Sequence, residues 1–190
     1  TAAVSMGYLT SISASNRQRA TASGTIKLLW NGTDATIVYS GSAALAAFTA
    51  AAEQFVLGAI VIDGNVIEGT DGFSLNFNPM VAESDDDFQN DPPFAAVIKT
   101  EPVIQFTTTS PAIWSLNATA ISTAVKINLV ALSPSAQRVA NATTSHILIE
   151  ALDGQIRCES VGGSKLLTQV TIKPVSADNS TMPVTLTVSN

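Results

Sequence analysis

The chain has 190 residues, with 9 Lys and Arg against 15 Asp and Glu, so its net charge is −6, and charged residues make up only 13% of it. That length suits one domain, 1–190, large enough to bury a core without a metal or disulfide staple, and its one cysteine, Cys158, excludes an internal disulfide framework. The acidic balance disfavours sequence-reading of nucleic acid, because such a surface repels phosphates, although it suits a conduit that must not hold on to DNA.

A surface with few charges and much Ala, Val, Ile and Thr fits two situations: burial against other subunits, or an apolar-rich monomer. No apolar run approaches the ~18 residues of a membrane helix, so no membrane partner is expected. Thr1 as first residue fits either a removed leader or a clipped initiator Met, and decides nothing.

Residues 1–23 are small and polar, with Arg17 and Arg19 among Ser, Ala, Thr and Asn. They read as an extended N-terminal arm or a weak edge strand, and an arm of this kind is a candidate for contact with a neighbouring subunit. Ile26, Leu28 and Trp30 alternate with Thr25, Lys27 and Leu29, which predicts a strand. Asn31-Gly32 supplies a tight turn, and Ala35 to Ser40 is the returning strand. Ser42 to Gln54 has high helix propensity, a capping Ser42, and Leu45, Phe48, Ala52 and Phe55 on one face. This is the expected main helix, packed on one side of the domain.

Asp63-Gly64 predicts a second hairpin, with Val61 opposite Val66 and Ile60 opposite Ile67, both faces apolar and covered. Phe73, Leu75 and Phe77 face one way and Ser74, Asn76 and Asn78 the other, as in a half-buried strand. Then Glu83, Asp85, Asp86, Asp87 and Asp91 crowd into nine positions, a third of the chain's acids. Like charges this close want water, a positive partner on a neighbouring subunit, or Ca²⁺; the EF-hand pattern with its central Gly is absent. Phe94 to Thr109 resumes as a strand broken at Pro102. Ser110-Pro111 starts a short second helix, Ala112 to Ala120, anchored by Ile113 and Leu116.

Ala124 to Leu132 is another strand, and Pro134 to Thr144 a polar connection. His146 to Ser160 is read as a third hairpin turning at Asp153-Gly154. Simple pairing sets Glu150 across from Arg157, Ile149 across from Cys158 and His146 across from Val161. The Glu150–Arg157 pair would support that register by about 0.2–1 kcal/mol. Leu167 to Val175 and Pro183 to Val188 are the last strands. The sum is a mainly β chain of antiparallel strands with one main and one short helix.

No catalytic or cofactor motif is present. Cys158 and His146 are the only nucleophile and base of the cysteine-histidine type, and the hairpin register sets them on opposite faces. One His and one Cys cannot make a four-ligand N/S zinc site. Gly162-Gly163 lacks the spacing and following Lys of a phosphate loop. A non-enzymatic protein without cofactor or metal is therefore expected. Asn31, Asn117, Asn141 and Asn179 fit the glycosylation sequon, which a chain rich in Asn, Thr and Ser also matches by chance.

Three passages carry a family resemblance. One is Gly72-Phe73-Ser74-Leu75-Asn76-Phe77 with the acidic loop and Pro93-Phe94-Ala95-Ala96-Val97. The second is Glu101 to Pro111 leading into a short helix, and the third is Arg138 to Ile149. Over residues 60 to 190 this order of features resembles the tail-tube (major tail) proteins of long-tailed bacteriophages. The resemblance implies a β-sandwich or half-barrel subunit with a flanking helix. Six such subunits would close a ring, and rings would stack into a virion tail tube that conducts DNA without binding it, alongside other tail proteins. It makes the acidic loop from Pro79 to Pro93 and the N-terminal arm candidates for contacts between rings. Two other readings stand beside it: a secreted filament or pilus subunit assembled by strand donation, and a ligand-binding β-sandwich module using Trp30, Trp114, Tyr8 and Tyr39.

Overall fold

A computed structural model of the chain describes residues 4–16, 18–30, 54–84, 92–117, 120–121, 125–131, 146–162, 167–176 and 182–189. Strands hold 72% of these residues and helix 5%, so the chain is mainly β. The early strands are β1 (Val4–Ser15), β2 (Thr21–Leu29), β3 (Phe55–Ile62), β4 (Asn65–Ile67), β5 (Thr70–Asn76), β6 (Pro79–Glu83) and β7 (Ala95–Thr100). The later ones are β8 (Val103–Thr108), β9 (Ala120–Ile121), β10 (Val125–Ala131), β11 (His146–Ala151), β12 (Gly154–Val161), β13 (Leu167–Pro174) and β14 (Thr185–Ser189).

All pairings are antiparallel. A seven-stranded sheet runs in the order β2-β1-β5-β8-β13-β12-β9. A five-stranded sheet runs β14-β11-β10-β3-β4, and β6 with β7 forms a separate hairpin. The sheets are not closed into a barrel.

Alternation builds the core. On the larger sheet Ile12, Phe73, Leu75, Ile104, Phe106 and Ile172 are buried while their sequence neighbours are not. On the smaller sheet Ile60, Ile62, Ile127 and Ile149 are buried in the same way. Both sets belong to one hydrophobic cluster, which also takes in Ile113 and Cys158. The two buried hydroxyls among the described residues are satisfied. Thr108 Oγ1 donates to Glu68 O at 2.6 Å and accepts from Ser110 N, and Thr168 Oγ1 accepts from Trp114 Nε1 at 3.0 Å. A buried polar group left unpaired would cost about 1–3 kcal/mol.

The Asp63-Gly64 hairpin has the expected register, Val61 with Val66 and Ile60 with Ile67. Both turn residues have positive φ, 50° and 75°, as a two-residue hairpin turn requires. Its two faces are not equally covered: Ile60 and Ile67 are buried in the core, but Val66, paired with Val61 on the opposite face, is 61% exposed. In β3, Gly58 and Ala59 lie opposite the single residue Asn128, a bulge whose Ala59 carbonyl accepts from Asn128 Nδ2 at 3.2 Å. A Cβ on Gly58 would sit 2.8 Å from Asn128 O, so this close approach admits only glycine without rearrangement.

Several expectations are corrected. His146 to Ser160 is not a hairpin. Strand β11 pairs with β10 and β14 in the smaller sheet, and β12 pairs with β13 and β9 in the larger one. The chain changes sheet at Leu152-Asp153, so Glu150 faces Lys126 and Thr185, not Arg157. Cys158 faces Val170, and His146 faces Val130 and Ser189. Of the apolar face expected there, Ile147, Ile149, Ile156 and Cys158, the last three are buried in one cluster and Ile147 is partly buried against it, because each sheet turns its own apolar face to the shared core. The short helix is a single 3-10 segment, Pro111–Leu116, and Ala120 belongs to β9. Its proline start is as expected, but the Ser110 side chain makes no cap hydrogen bond. The loop expected from Pro79 begins instead as strand β6, and Phe94 to Thr109 splits at Pro102 into β7, which pairs with β6, and β8, which joins the larger sheet.

The expected arm, 1–23, contains β1, which pairs with β2 along its length and with β5 from Ser11 to Ser15. The expected turn and strand at 31–40 and the main helix up to residue 53 lie outside the described residues.

The sheet change is tested by a double-mutant cycle. Lys126 Nζ and Glu150 Oε1 are 3.2 Å apart, with both side chains partly exposed, and Arg157 Nε instead meets Glu159 at 2.9 Å. Charge-removing substitutions at 126 and 150 should couple by about 0.2–1 kcal/mol in urea unfolding. Substitutions at 150 and 157 should be additive; coupling there would restore the hairpin.

Candidate self-association surface

The β6–β7 hairpin stands apart from both sheets. Asn78 takes a positive φ of 44°, which turns the chain out of β5, and its Nδ2 donates to Glu101 O at 3.0 Å. Glu101 N donates to Phe77 O at 3.1 Å and closes the base. At the far end Ser84 N donates to Phe94 O at 2.9 Å. The hairpin is held to the end of β2 by the ion pair between Lys27 Nζ and Glu83 and by Trp30 N donating to Pro92 O at 3.2 Å.

The register shifts by one residue between Met80 and Val81, which leaves Ile98 as an extra residue on β7. A bulge of this kind re-aims side chains; Ile98 is 62% exposed, and Met80 and Phe94 are exposed on the same hairpin. Next to it, Val97, Ile98, Pro102, Val175, Met182 and Pro183 contribute to one groove of about 830 Å³. Met182 is 68% exposed, so this is an apolar groove open to solvent. Its charged rim is Lys99, Glu101 and Lys173. The Lys99 ammonium, hydrogen-bonded to Glu101 at 2.5 Å, holds that carboxyl below its usual range, with Lys173 adding a smaller pull.

Strand β14 lies beside this groove in sequence, starting just after Met182 and Pro183. It pairs only with β11 among the described residues, and both Leu186 and Val188 are exposed. β2 likewise pairs only with β1 there, and Ile26 on it is 73% exposed. Sheet-edge strands with apolar side chains and unpaired backbone groups are templates for pairing with another chain.

Of the residues singled out in the sequence, Glu83 is committed to Lys27. Asp85, Asp86, Asp87, Asp91 and Arg17 lie outside the described residues, as do Asn31, Asn141 and Asn179. Arg19 forms a backbone bridge to Val56, and Ala20 N donates to Phe55 O at 2.7 Å, so the β1–β2 connection ties the larger sheet to β3 of the smaller. Asn117 Oδ1 accepts from Cys158 N at 2.8 Å and completes the β12 edge where β9 ends. Trp114 is hydrogen-bonded to Thr168 on β13, Tyr8 lies on β1, and Tyr39 lies outside the described residues. No cluster of three metal-ligating side chains occurs among the described residues. The apolar groove was missed because its residues come from β7 and from the segments flanking the last two strands. Its only trace in the sequence is apolar residues beside prolines: Pro102-Val103, Pro174-Val175 and Met182-Pro183.

Cys158 and His146 belong to different sheets and form no dyad. The Cys158 thiol is buried, its Sγ lies 3.5 Å from Ile113 O, and burial raises its pKa. The thiolate is the reactive form, so a maleimide or disulfide reagent at neutral pH should label native protein far more slowly than urea-unfolded protein. Equal rates would place the thiol at the surface.

Comparison with protein-family models, curated proteins and solved structures found no match to this chain.

Proposed function

We propose that this protein is a structural subunit that acts by assembling with copies of itself, in the manner of a tail tube that passes DNA during ejection from a virion. The observation that supports this best is the solvent-open apolar groove beside the β6–β7 hairpin, lined by Ile98, Val175 and Met182. Exposed apolar surface of this kind, on a chain with so few charges, is stabilised when a neighbour covers it. The edges of β2 and β14 offer the backbone groups through which adjacent subunits would continue a sheet around a ring, and closure of the ring would remove them from solvent. In this reading the two sheets pack as an open sandwich, and the protein has no catalytic role. The acidic tip between Glu83 and Pro92 reaches the next ring, and the acidic surface keeps DNA from sticking.

Strand donation by residues 4–15 is the weaker assembly route. Those residues already fill β1, and withdrawing them would strip pairing from both β2 and β5.

Electron microscopy of the purified protein should show stacked hollow rings, with an intact mass equal to that of the unmodified chain. The double variant Ile98→Asp, Met182→Asp should remain β-folded by circular dichroism but sediment as a monomer. Rings formed by that variant as readily as by the parent would remove the groove from assembly.

Replacing residues 85–91 with a short Gly-containing turn spares β6, β7 and the Glu83–Lys27 pair. It should leave single rings that do not stack. Full-length tubes from this variant would show that the acidic tip does not join rings.

A further inference from the structure

A second groove lies on the opposite side of the larger sheet from the core, and self-assembly does not explain it. The outward residues of this face run in cross-strand rows. Ser13 faces Ser74, which faces Gln105, and Gly72 faces Thr107, which faces Gln169. The rows hold hydroxyls and amides, except at Gly72, where one side chain is missing.

Neither backbone nor packing calls for that glycine. Its φ is not in the left-handed region, and an added Cβ would meet only Ser15 Cβ, at an ordinary 3.9 Å. It follows directly on a bulge at Asp71, where β5 slips against β8. Glycine in a strand marks a bulge or a place where a ligand comes close; what this one does is leave a groove of about 410 Å³ over the sheet. That volume is in the range of small-molecule clefts, roughly 300–1,000 Å³.

Two hydroxyls on the groove wall, Ser13 Oγ and Thr21 Oγ1, bond each other at 2.8 Å; Arg19, Gln105, Thr107 and Gln169 are polar groups open to a ligand. Among the described residues Arg19 is the groove's only charged lining residue, on a chain of net charge −6, and the guanidinium makes no ion pair there. Ser15 Oγ donates to Gln18 Oε1 at 2.8 Å, which leaves the Gln18 amide NH₂ available as a donor. Among the described residues no aromatic platform or apolar wall from a neighbouring element closes the groove, which suits a ligand that is polar over its whole surface. A guanidinium fork matches a planar carboxylate through two parallel hydrogen bonds. Hydroxyls and amides in rows match a ring that carries hydroxyls of its own. One cation in an acidic protein suits one negative charge and disfavours a polyphosphate.

We propose that the groove over Gly72 binds a carboxylate-bearing sugar unit, its carboxylate on Arg19 and its hydroxyls on Gln105, Thr107 and Gln169. Arg19 supplies the charge recognition, and the missing side chain at position 72 supplies the space.

The test is equilibrium dialysis of the full chain against radiolabelled D-glucuronate, which works whatever the assembly state. Saturable binding is expected, with unlabelled glucose and unlabelled acetate each competing at least about tenfold more weakly than unlabelled glucuronate. R19Q should weaken glucuronate about tenfold, the loss expected for one charge-assisted pair, and leave the weak glucose competition unchanged. G72V fills the groove with a strand-forming side chain and should abolish binding with the melting temperature held or raised. Four results overturn the proposal: no saturable binding, acetate competing as well as glucuronate, glucose competing as well as glucuronate, or R19Q binding like the parent.

Discussion

The structure depends on one shared core. The apolar faces of the seven- and five-stranded sheets bury isoleucines, valines and leucines in a single cluster. Each fully buried side chain of this size contributes about 1.5–3 kcal/mol relative to exposure. Neither sheet could keep its apolar face without the other. This requirement makes the chain change sheet repeatedly, among other places between β4 and β5, where Thr108 and Thr109 hold Glu68 and Gly69, and at Leu152-Asp153 between β11 and β12.

Because the core is satisfied from within, the molecule's other surfaces are left with distinct characters. Around Gly72 the outer face of the larger sheet carries hydroxyls and amides, interrupted by the gap at that glycine. The end near β7 and β14 is apolar and open. The β6–β7 hairpin owes its position to a few contacts, the Lys27–Glu83 pair and the Asn78 and Trp30 hydrogen bonds. In the proposed reading these surfaces divide the labour, with apolar end and open edges joining neighbours within a ring and the acidic tip reaching between rings.

Few polar groups of the described residues are buried, and most have a defined partner; His146 Nδ1 is buried without one. Thr108 locks a crossing between sheets, Thr168 fixes Trp114, and Asn117 ends the β12 edge by taking the Cys158 N–H. Each of these partners is at least 40 residues away in sequence.

Much of the local structure was legible in the sequence. Period-two alternation located Phe73 to Phe77 and Ile104 to Phe106 as half-buried strands, and Asp63-Gly64 fixed a hairpin to the residue. Those signals are local: alternation is set by the pleat, and a two-residue turn dictates its own register. Asp153-Gly154 gave the same local signal and misled, since a turn dipeptide does not say whether the next strand pairs back or leaves for another sheet. Inward residues alternate identically in both cases, so Ile149 and Cys158 reached the core by either route. Glu83 was legible as an acid in a run of acids, but its partner Lys27 was not, nor were the grooves at Ile98 and Gly72. Those features join residues from strands distant in sequence, and only the order of strands in the folded sheets brings them side by side.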